Sequence, residues 1–392
     1  MKTNPVYAQY CICVIRAVMQ GLTIPAVPED LSLKVLFDFA KMHSVEALVY
    51  HGLSQLNMQK DDPVWQHWEN RADMLVTQSV VQLAERDVLF VLLPSAGINI
   101  LPVKGCWLKE LYPEIDYRQM SDLDILIQPD HEEKARKIMV QQGYFPEEDA
   151  AANHDGYKKT PYMGVELHHS LLPREDPGYP YYEDVWQRAQ PVADHPGVFR
   201  LSPEDEYIYY MLHLRKHVLY AGTGIRSFLD SVVYRSVKTG MDQNYLHREY
   251  ETLGITEFVR QVETLSDCWF VKGWDTPDDL KAMEASVFAA GTYGTETKLF
   301  QNELHRFQTS FKNPLAVKSL YLLHCLFLPL KDMQELYPVL RKAPVLLPLL
   351  WVWRFASRCV AKPKGLLDLV RRTNEEGDRI WSEFNWQKFR SK

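Results

Sequence analysis

One short segment constrains the fold of this chain more than any other. It begins at Arg118 and reads Arg-Gln-Met-Ser-Asp-Leu-Asp-Ile-Leu-Ile. Successive side chains of a β-strand point to opposite faces, so Asp122 and Asp124 share one face and the apolar residues at positions 123, 125 and 127 share the other. The segment therefore predicts a strand that packs on helices with one face and presents two carboxylates on the other.

The two aspartates concentrate negative charge. Their Cα atoms are expected to lie roughly 6–7 Å apart along the strand. Bare carboxylates at that separation repel unless a cation lies between them. The ligands are hard oxygens, which favours Mg²⁺ or Mn²⁺ over Zn²⁺, and a pair of such ions about 3.5–4 Å apart serves phosphoryl or nucleotidyl displacement. The alternative is two solvated acids on an edge strand, because Asp-x-Asp by itself is common.

Two neighbouring segments add to this candidate site. Lys104-Gly105 joins an apolar run to a predicted helix, where free backbone N–H groups at the bend can hold phosphate oxygens and the lysine adds a point charge. Downstream, Gly-Val-Glu-Leu-His-His predicts a strand with Glu166 and His168 on one face. A third carboxylate can complete a metal's ligand shell and help to deprotonate an acceptor hydroxyl.

Together these motifs resemble the polymerase-beta-like nucleotidyltransferase superfamily. They comprise Lys-Gly after a strand, Arg-x-x-Ser-Asp-x-Asp, and Glu-Leu-His on a later strand, all within about residues 100–170. The chain looks closest to the branch called uncharacterised nucleotidyltransferase family proteins. A weaker helical similarity, in His-Leu-Arg-Lys-His at 213–217 and Arg-Ser-Phe-Leu-Asp at 226–230, extends the resemblance over much of the chain.

The resemblance implies roles for the matching residues. The metal ligands and catalytic acids would be Asp122, Asp124 and Glu166. The nucleotide-binding residues would be Lys104, Gly105, Arg118, Ser121 and His168. Lys104-Gly105 stands where the wider superfamily has Gly-Ser or Gly-Gly holding the triphosphate, so the phosphate contacts stay open. Arg118 has two alternative roles, a phosphate contact or a structural ion pair.

Further polar residues are weaker candidates. His213 and His217 lie one turn apart on a predicted helix, but no glutamate follows His213, so a packing or cleft role is expected rather than a metalloprotease site. Asp230 is expected to make a polar contact among the helices or to line the cleft. His169 is expected to point to the core side, away from His168.

The rest of the chain predicts helices around a small core. Apolar residues recur at helical spacing before about Gly97, and Ser-Pro-Glu-Asp at 202–205 combines a capping hydroxyl, an N-terminal proline and acids in the first turn. The predicted fold is α+β, a small mixed-sheet nucleotidyltransferase core embedded in a mostly α-helical protein. The predicted divisions are a helical segment, the α/β core and a helical domain, at residues 1–91, 92–190 and 191–392.

Charge is unevenly distributed along the chain. The net charge of −7 argues against a protein that binds nucleic acid over its whole surface. Residues 337–392 contain 12 Lys/Arg and 5 Asp/Glu, a net +7, so the remainder carries −14. This basic C-terminal region is expected to dock on the protein's own acidic body, with an acidic partner, an anionic membrane surface or RNA as alternatives.

The cysteines and the apolar runs indicate the cellular compartment and whether a segment crosses a membrane. The six cysteines form no Cys-x-x-Cys pair, which is typical of reduced thiols in a cytoplasmic protein. The most apolar run, residues 343–353, contains Pro348 and is much shorter than the roughly 20 residues that cross a bilayer. No transmembrane segment is predicted, and the run is expected to form a buried helix, with a surface-lying helix as the alternative.

The predicted function is Mg²⁺-dependent transfer of an NMP from an NTP, with ATP the expected nucleotide, to an acceptor hydroxyl. The alternative is a catalytically inactive nucleotide-binding or scaffolding protein on the same fold. A P-loop NTPase and an α/β-hydrolase are disfavoured because neither signature motif occurs. Acceptors in the superfamily range over small molecules, sugars, nucleic-acid ends and protein hydroxyls, and the sequence does not select among them.

Overall fold

A computed structural model of the chain describes residues 5–147, 153–174, 176–294, 314–337 and 339–361, together with Arg371 and Thr373. The chain divides into two compact units. One comprises residues 1–218 and 222–293, and the other residues 219–221 and 294–392. The predicted divisions at residues 91 and 190 fall within the first unit and stay predictions.

The first unit begins with helices and then enters a sheet. The opening helices are α1 (Pro5–Gln20), α2 (Leu33–Met42), α3 (Glu46–Leu53) and α4 (Pro63–Ser95). The strands are β1 (Ile100–Val103), β2 (Leu123–Ile127), β3 (Phe145–Pro146), β4 (His154–Lys159), β5 (Met163–His168), β6 (Gln190–Pro191) and β7 (Phe199–Arg200). The helices within the sheet region are α5 (Gly105–Leu108) and α6 (Glu132–Gln141).

Helices dominate after the sheet. They are α7 (Tyr179–Tyr182), α8 (Val185–Arg188), α9 (Pro203–Tyr220), α10 (Ile225–Val237), α11 (Gln243–Thr252), α12 (Thr256–Asp267) and α13 (Lys281–Ala290). The second unit contributes α14 (Pro314–Leu326), α15 (Leu330–Leu336), α16 (Val339–Lys342) and α17 (Leu347–Ala361). Short 3-10 turns lie at Lys109–Leu111, Pro129–His131, Asp278–Leu280 and Pro344–Leu346, and a π-helical turn lies at Cys268–Lys272.

Five strands form a mixed sheet in the order β1-β2-β5-β4-β3. β2 and β5 are parallel, and the other neighbouring pairs are antiparallel. The predicted α+β class is therefore confirmed. A crossover through α6, β3 and β4 separates β2 from β5, as a parallel pair requires.

The two faces of the sheet have different surroundings. The apolar face includes Leu123, Ile125, Val165 and Leu167, which are buried in one cluster with residues of α4 and α6. The opposite face carries the polar residues of β2, β4 and β5. This division follows from the alternation along the strands, because burial of one set of side chains leaves the other set facing away.

The helix starts follow local chemistry. The Ser202 hydroxyl accepts a hydrogen bond from the Asp205 backbone N–H at 3.1 Å, at the start of α9. The Asp62 carboxylate accepts from the N–H groups of Val64 and Trp65, which caps the long helix α4. Each cap satisfies backbone donors that a helix leaves without an intrahelical partner.

The apolar run near residue 350 departs from expectation. Its residues 347–353 form the first half of α17, in which Leu349, Val352 and Trp353 are 67%, 68% and 63% exposed, so the expected buried helix was wrong. The seven residues 347–353 are all apolar and therefore lie on every side of the helix, so packing of one face leaves other apolar side chains exposed. None of the described helices has the length and apolar character needed to cross a bilayer.

Two other expectations concern residues that are described only in part. The basic C-terminal region extends over residues 337–392, and its residues after 361, apart from Arg371 and Thr373, lie outside the described residues. Its docking stays a prediction. Among the described residues, Cys11, Cys13, Cys106 and Cys268 are free thiols.

The packing of β2 makes a first prediction. Ile125 is completely buried beneath the sheet, so Ile125→Ala should lower the free energy of unfolding by about 2–5 kcal/mol. Val140→Ala is the matched control, because Val140 lies on α6 and is 51% exposed. It should change stability by no more than about 0.5 kcal/mol. Denaturant unfolding measures both, and equal losses would contradict the assigned faces of the sheet.

Candidate active site

A cleft of about 300 Å³ lies over the polar face of the sheet, in the first unit. Residues of β2, β4, β5, α9 and α10 line it. Every residue that the sequence assigned to the site lines this cleft: Lys104, Gly105, Arg118, Ser121, Asp122, Asp124, Glu166 and His168. The weaker candidates His213, His217 and Asp230 line it too.

The register of β2 against β5 positions the acids. Asp124 pairs directly with Glu166 along the parallel ladder, and Asp122 lies two residues before Asp124, immediately before the start of β2. Side chains at paired positions of neighbouring strands point to the same face. The three carboxylates are therefore brought to one end of the cleft although 42 positions separate Asp124 from Glu166.

Asp124 is the centre of a compact charge network. Its Oδ1 accepts from the Lys104 ammonium at 2.6 Å and from His168 Nε2 at 2.9 Å. Burial by itself would raise the pKa of Asp124, but the Lys104 charge and the His168 hydrogen bond hold the pKa well below its usual value. Its other oxygen, Oδ2, accepts no hydrogen bond from the described residues.

The sheet also explains why Lys104 reaches this carboxylate. Val103, the last residue of β1, pairs with Asp124, so the next residue leaves the strand beside it. Lys104 has a φ of 51°, which is an uncommon backbone conformation for a residue with a side chain. The ammonium thus neutralises Asp124, and the predicted contact between Lys104 and phosphate stays a prediction.

Gly105 is favoured by close packing rather than by backbone angle. A Cβ at this position would lie 2.6 Å from Met120 Sδ and 3.1 Å from Arg118 Nη1. The helix that it opens, α5, has a single turn. The absence of a side chain lets the turn after β1 approach the loop that precedes β2.

Asn153 fixes the orientation of His168 and was not found from the sequence. Asn153 Nδ2 lies 3.2 Å from the Ser170 carbonyl oxygen and 3.3 Å from His168 Nδ1. A carbonyl only accepts, so the amide nitrogen donates to both atoms, and Nδ1 is an acceptor. His168 Nε2 then carries the proton that it donates to Asp124.

Glu166 lies between two histidines. His168 Nε2 is 3.2 Å from its Oε2, and His154 Nε2 is 3.5 Å from its Oε1. Among the described residues, this trio has ligand atoms within 4.8 Å of one another, although the proton on His168 Nε2 makes that atom a donor. No sequence motif pointed to His154, because only the antiparallel register of β4 against β5 places it beside His168.

Asp122 is the acid without a cationic partner. Among the described residues, no Lys, Arg or His lies within 4 Å of its carboxylate. Removal from water, followed by repulsion from Asp124 and Glu166, raises the pKa of Asp122 to about 6. Negative charge is therefore concentrated around Asp122, and a bound cation would reduce the repulsion among the three carboxylates.

Hydrogen bonds from three side chains hold the loop before β2. Lys109 Nζ donates to the Arg118 carbonyl at 2.7 Å, Gln82 Nε2 to the Met120 carbonyl at 2.8 Å, and Arg226 Nη1 to the Gln119 carbonyl at 2.7 Å. These bonds satisfy carbonyls in a segment with no ladder of its own. They hold Arg118 to Ser121 against the cleft.

Arg118 forms a buried ion pair with Asp230. Its Nε lies 2.8 Å from Asp230 Oδ1 and its Nη2 lies 3.0 Å from Oδ2, while the Tyr112 hydroxyl donates to Oδ1 at 2.7 Å. Of the two roles open to Arg118, the geometry supports the ion pair. His169 lies on the opposite side from His168, with Nδ1 3.0 Å from the Glu132 carboxylate of α6.

Helices α9 and α10 form the other side of the cleft. His213 and His217 lie with their Nε2 atoms 2.7 Å apart. Burial, and then the Lys104 charge, lowers the pKa of both rings, that of His217 to about 4. The two imidazoles are therefore neutral and share a hydrogen bond, which agrees with the expected cleft role.

The comparisons with known proteins place the chain in a family. A family model described as uncharacterised nucleotidyltransferase matches residues 30–271, which is more than half of the 392 residues. The chain belongs to this nucleotidyltransferase family, so the resemblance is confirmed. The match spans α2 to the π-helical turn and includes the whole five-stranded sheet. No curated protein and no solved structure matches the chain.

The raised pKa of Asp122 makes a prediction about stability. The folded state holds the Asp122 proton more tightly than the unfolded chain does. The contribution of this group to the free energy of unfolding is therefore fully present below about pH 4 and is lost as the pH rises through about 6. Asp122→Asn should therefore raise the free energy of unfolding by about 1–3 kcal/mol at pH 8 in chelator, and by little at pH 4. Thermal or denaturant unfolding at the two pH values measures this.

Asp130→Asn is the control for this measurement. Asp130 is an exposed aspartate in the 3-10 turn before α6, and its replacement should leave the unfolding transition nearly unchanged at either pH. A loss of stability in Asp122→Asn at pH 8 would mean that Asp122 makes a favourable contact, which would contradict charge repulsion among the three acids.

Proposed function

We propose that this protein catalyses nucleotidyl transfer through Asp122, Asp124 and Glu166. An acceptor hydroxyl attacks the α-phosphorus of an NTP, the bond from that phosphorus to the bridging oxygen breaks, and pyrophosphate leaves. The observation that carries the proposal is the direct pairing of Asp124 with Glu166 on parallel strands. Membership of a nucleotidyltransferase family supports the reaction class.

The acids fit a site for divalent ions with oxygen ligands, which we take to be Mg²⁺ or Mn²⁺. Asp122 has a raised pKa and no cationic partner among the described residues, and Asp124 keeps Oδ2 free of hydrogen bonds. Asp122, Asp124 and Glu166 would hold the ions. When bound, such ions stabilise the negative charge that develops on the transferred phosphoryl group and on the leaving group.

The other residues would prepare and position these acids. Lys104 and His168 keep Asp124 ionised and fixed through its Oδ1. Glu166 would accept the proton of the acceptor hydroxyl, since it is the acid on the neighbouring strand and has room at the cleft. Gly105, Ser121 and Arg118 line the cleft, and they would border the bound nucleotide. We expect ATP to be the nucleotide, with the acceptor to be identified.

Asp122 provides the sharpest test of metal binding. Asp122→Asn should weaken Mg²⁺ or Mn²⁺ binding at least 10-fold, because it removes a negative ligand from a site built on charge, and it should do so without loss of stability. Calorimetric titration with each metal, in the presence of a non-hydrolysable ATP analogue, measures the affinity. Asp130→Asn is again the control, and unchanged affinity in Asp122→Asn would refute the metal site.

Glu166 provides the test of turnover. Glu166→Gln keeps the size and hydrogen bonding of the side chain but cannot take up a proton, so it should lower nucleotidyl transfer about 10²–10⁴-fold. Its affinity for the ATP analogue should change by no more than a few-fold. The measurement is transfer of label from each α-labelled NTP, with Mg²⁺ and cell extract as the source of acceptor.

Glu132→Gln is a matched control for this variant. Glu132 also contacts a histidine of the same segment, His169, but on the opposite side of the sheet, so its replacement should leave transfer intact. Wild-type rates in Glu166→Gln would show that another group takes the proton. Tight analogue binding without transfer by the wild-type protein would favour the alternative, a nucleotide-binding protein without catalysis.

A further inference from the structure

The cationic residues of the cleft differ in how they are paired. Among the described residues that line it, the lysines and arginines are Lys104, Arg118, Lys216 and Arg226. Lys104 is paired with Asp124 and Arg118 with Asp230. Within the described part of the chain, Lys216 and Arg226 have no carboxylate within 4 Å. Their two positive charges are therefore not neutralised by any carboxylate of the described residues.

Arg226 carries a further sign of a missing partner. It lies in the first turn of α10, and its Nη1 donates to the Gln119 carbonyl at 2.7 Å. Its Nε is buried and has no hydrogen-bond partner among the residues that the structure describes. A buried donor without an acceptor is costly, and each such group calls for an explanation. That atom is closed to solvent, so a ligand oxygen in the cleft would reach the guanidinium at Nη2, which donates to no acceptor among the described residues.

Lys216 and Arg226 act on the same part of the cleft. Both charges contribute, after burial and Lys104, to lowering the pKa of His217 to about 4. Lys216 belongs to α9 and Arg226 to α10, so two helices direct positive charge to one place. His213 and His217 lie beside them as neutral groups and do not add charge of their own.

We propose that Lys216 and Arg226 form a subsite for the β- and γ-phosphates of the nucleotide, on the helical side of the cleft. The assignment rests on the proposed nucleotidyl transfer. A polyphosphate needs cations that the protein has not already neutralised, and Lys104 is occupied by Asp124. The arginine fork matches phosphate oxygens, and lysine supplies a compact charge. The acids on the sheet would then face the α-phosphate.

Binding of inorganic tripolyphosphate in chelator tests the subsite apart from metal and catalysis. Calorimetry at low salt should show binding to the wild-type protein, weakened about 10-fold or more in Lys216→Gln and in Arg226→Gln. Arg215→Gln, which removes the neighbouring charge outside the cleft lining, should bind within two-fold of wild type. Lys216→Gln is decisive, because Arg226→Gln also removes the bond to the Gln119 carbonyl.

Competition identifies the source of the phosphate. Tripolyphosphate should displace a non-hydrolysable ATP analogue from the wild-type protein. If it binds through Lys216 but does not displace the analogue, the subsite takes a phosphate of the acceptor and the assignment to the nucleotide is overturned. Unchanged tripolyphosphate affinity in Lys216→Gln overturns the subsite itself.

The two proposals fail in different ways. Normal transfer in Lys216→Gln, with unchanged KM for the NTP, overturns the subsite and leaves nucleotidyl transfer in place. Absence of transfer by the wild-type protein, together with Lys216-dependent displacement of the ATP analogue by tripolyphosphate, overturns catalysis and supports the subsite.

Discussion

The backbone ladder between β2 and β5 is the interaction on which the site depends. Its parallel register places Asp124 beside Glu166, and the same strand start carries Asp122. Carboxylates that are adjacent and withdrawn from water repel one another, so this pairing is unfavourable for the fold by itself. Lys104 and His168 compensate the charge of Asp124, whereas Asp122 has no ion-pair partner among the described residues and its pKa stays raised. A stability cost concentrated in a cleft is characteristic of functional sites.

A second constraint joins the sheet to the helices. The Arg118–Asp230 ion pair links the loop before β2 to α10 across 112 positions of sequence and is almost fully buried. Loss of one partner of such a pair leaves an unpaired buried charge, so the pair specifies how the loop and the helix meet. Arg226 fastens the same loop from α10. These contacts therefore hold the loop that leads into the acidic strand β2 against helix α10, on the helical side of the cleft.

The predictions succeeded where neighbouring residues carry the information. Alternation along residues 122–127 gave the strand and its acidic face, and the Ser202-Pro203 signal gave the start of α9. They failed for α17, whose exposure depends on what packs around it. They also missed His154 and Asn153, because contacts with the acids and with His168 depend on the register of β4 against β5. No local spacing encodes that register.

The sequence by itself determined the α+β class and the nucleotidyltransferase family, and it predicted the three acids that line the cleft, since side-chain periodicity and short motifs are properties of residues close in the chain. The tertiary structure decided which charges are paired. Lys104 forms an ion pair with Asp124, and Arg118 forms one with Asp230. Lys216 and Arg226, which line the same cleft, have no carboxylate partner among the described residues. The physical reason is that electrostatic energy depends on distance in space and on burial, and both are set only when the strands and helices have packed.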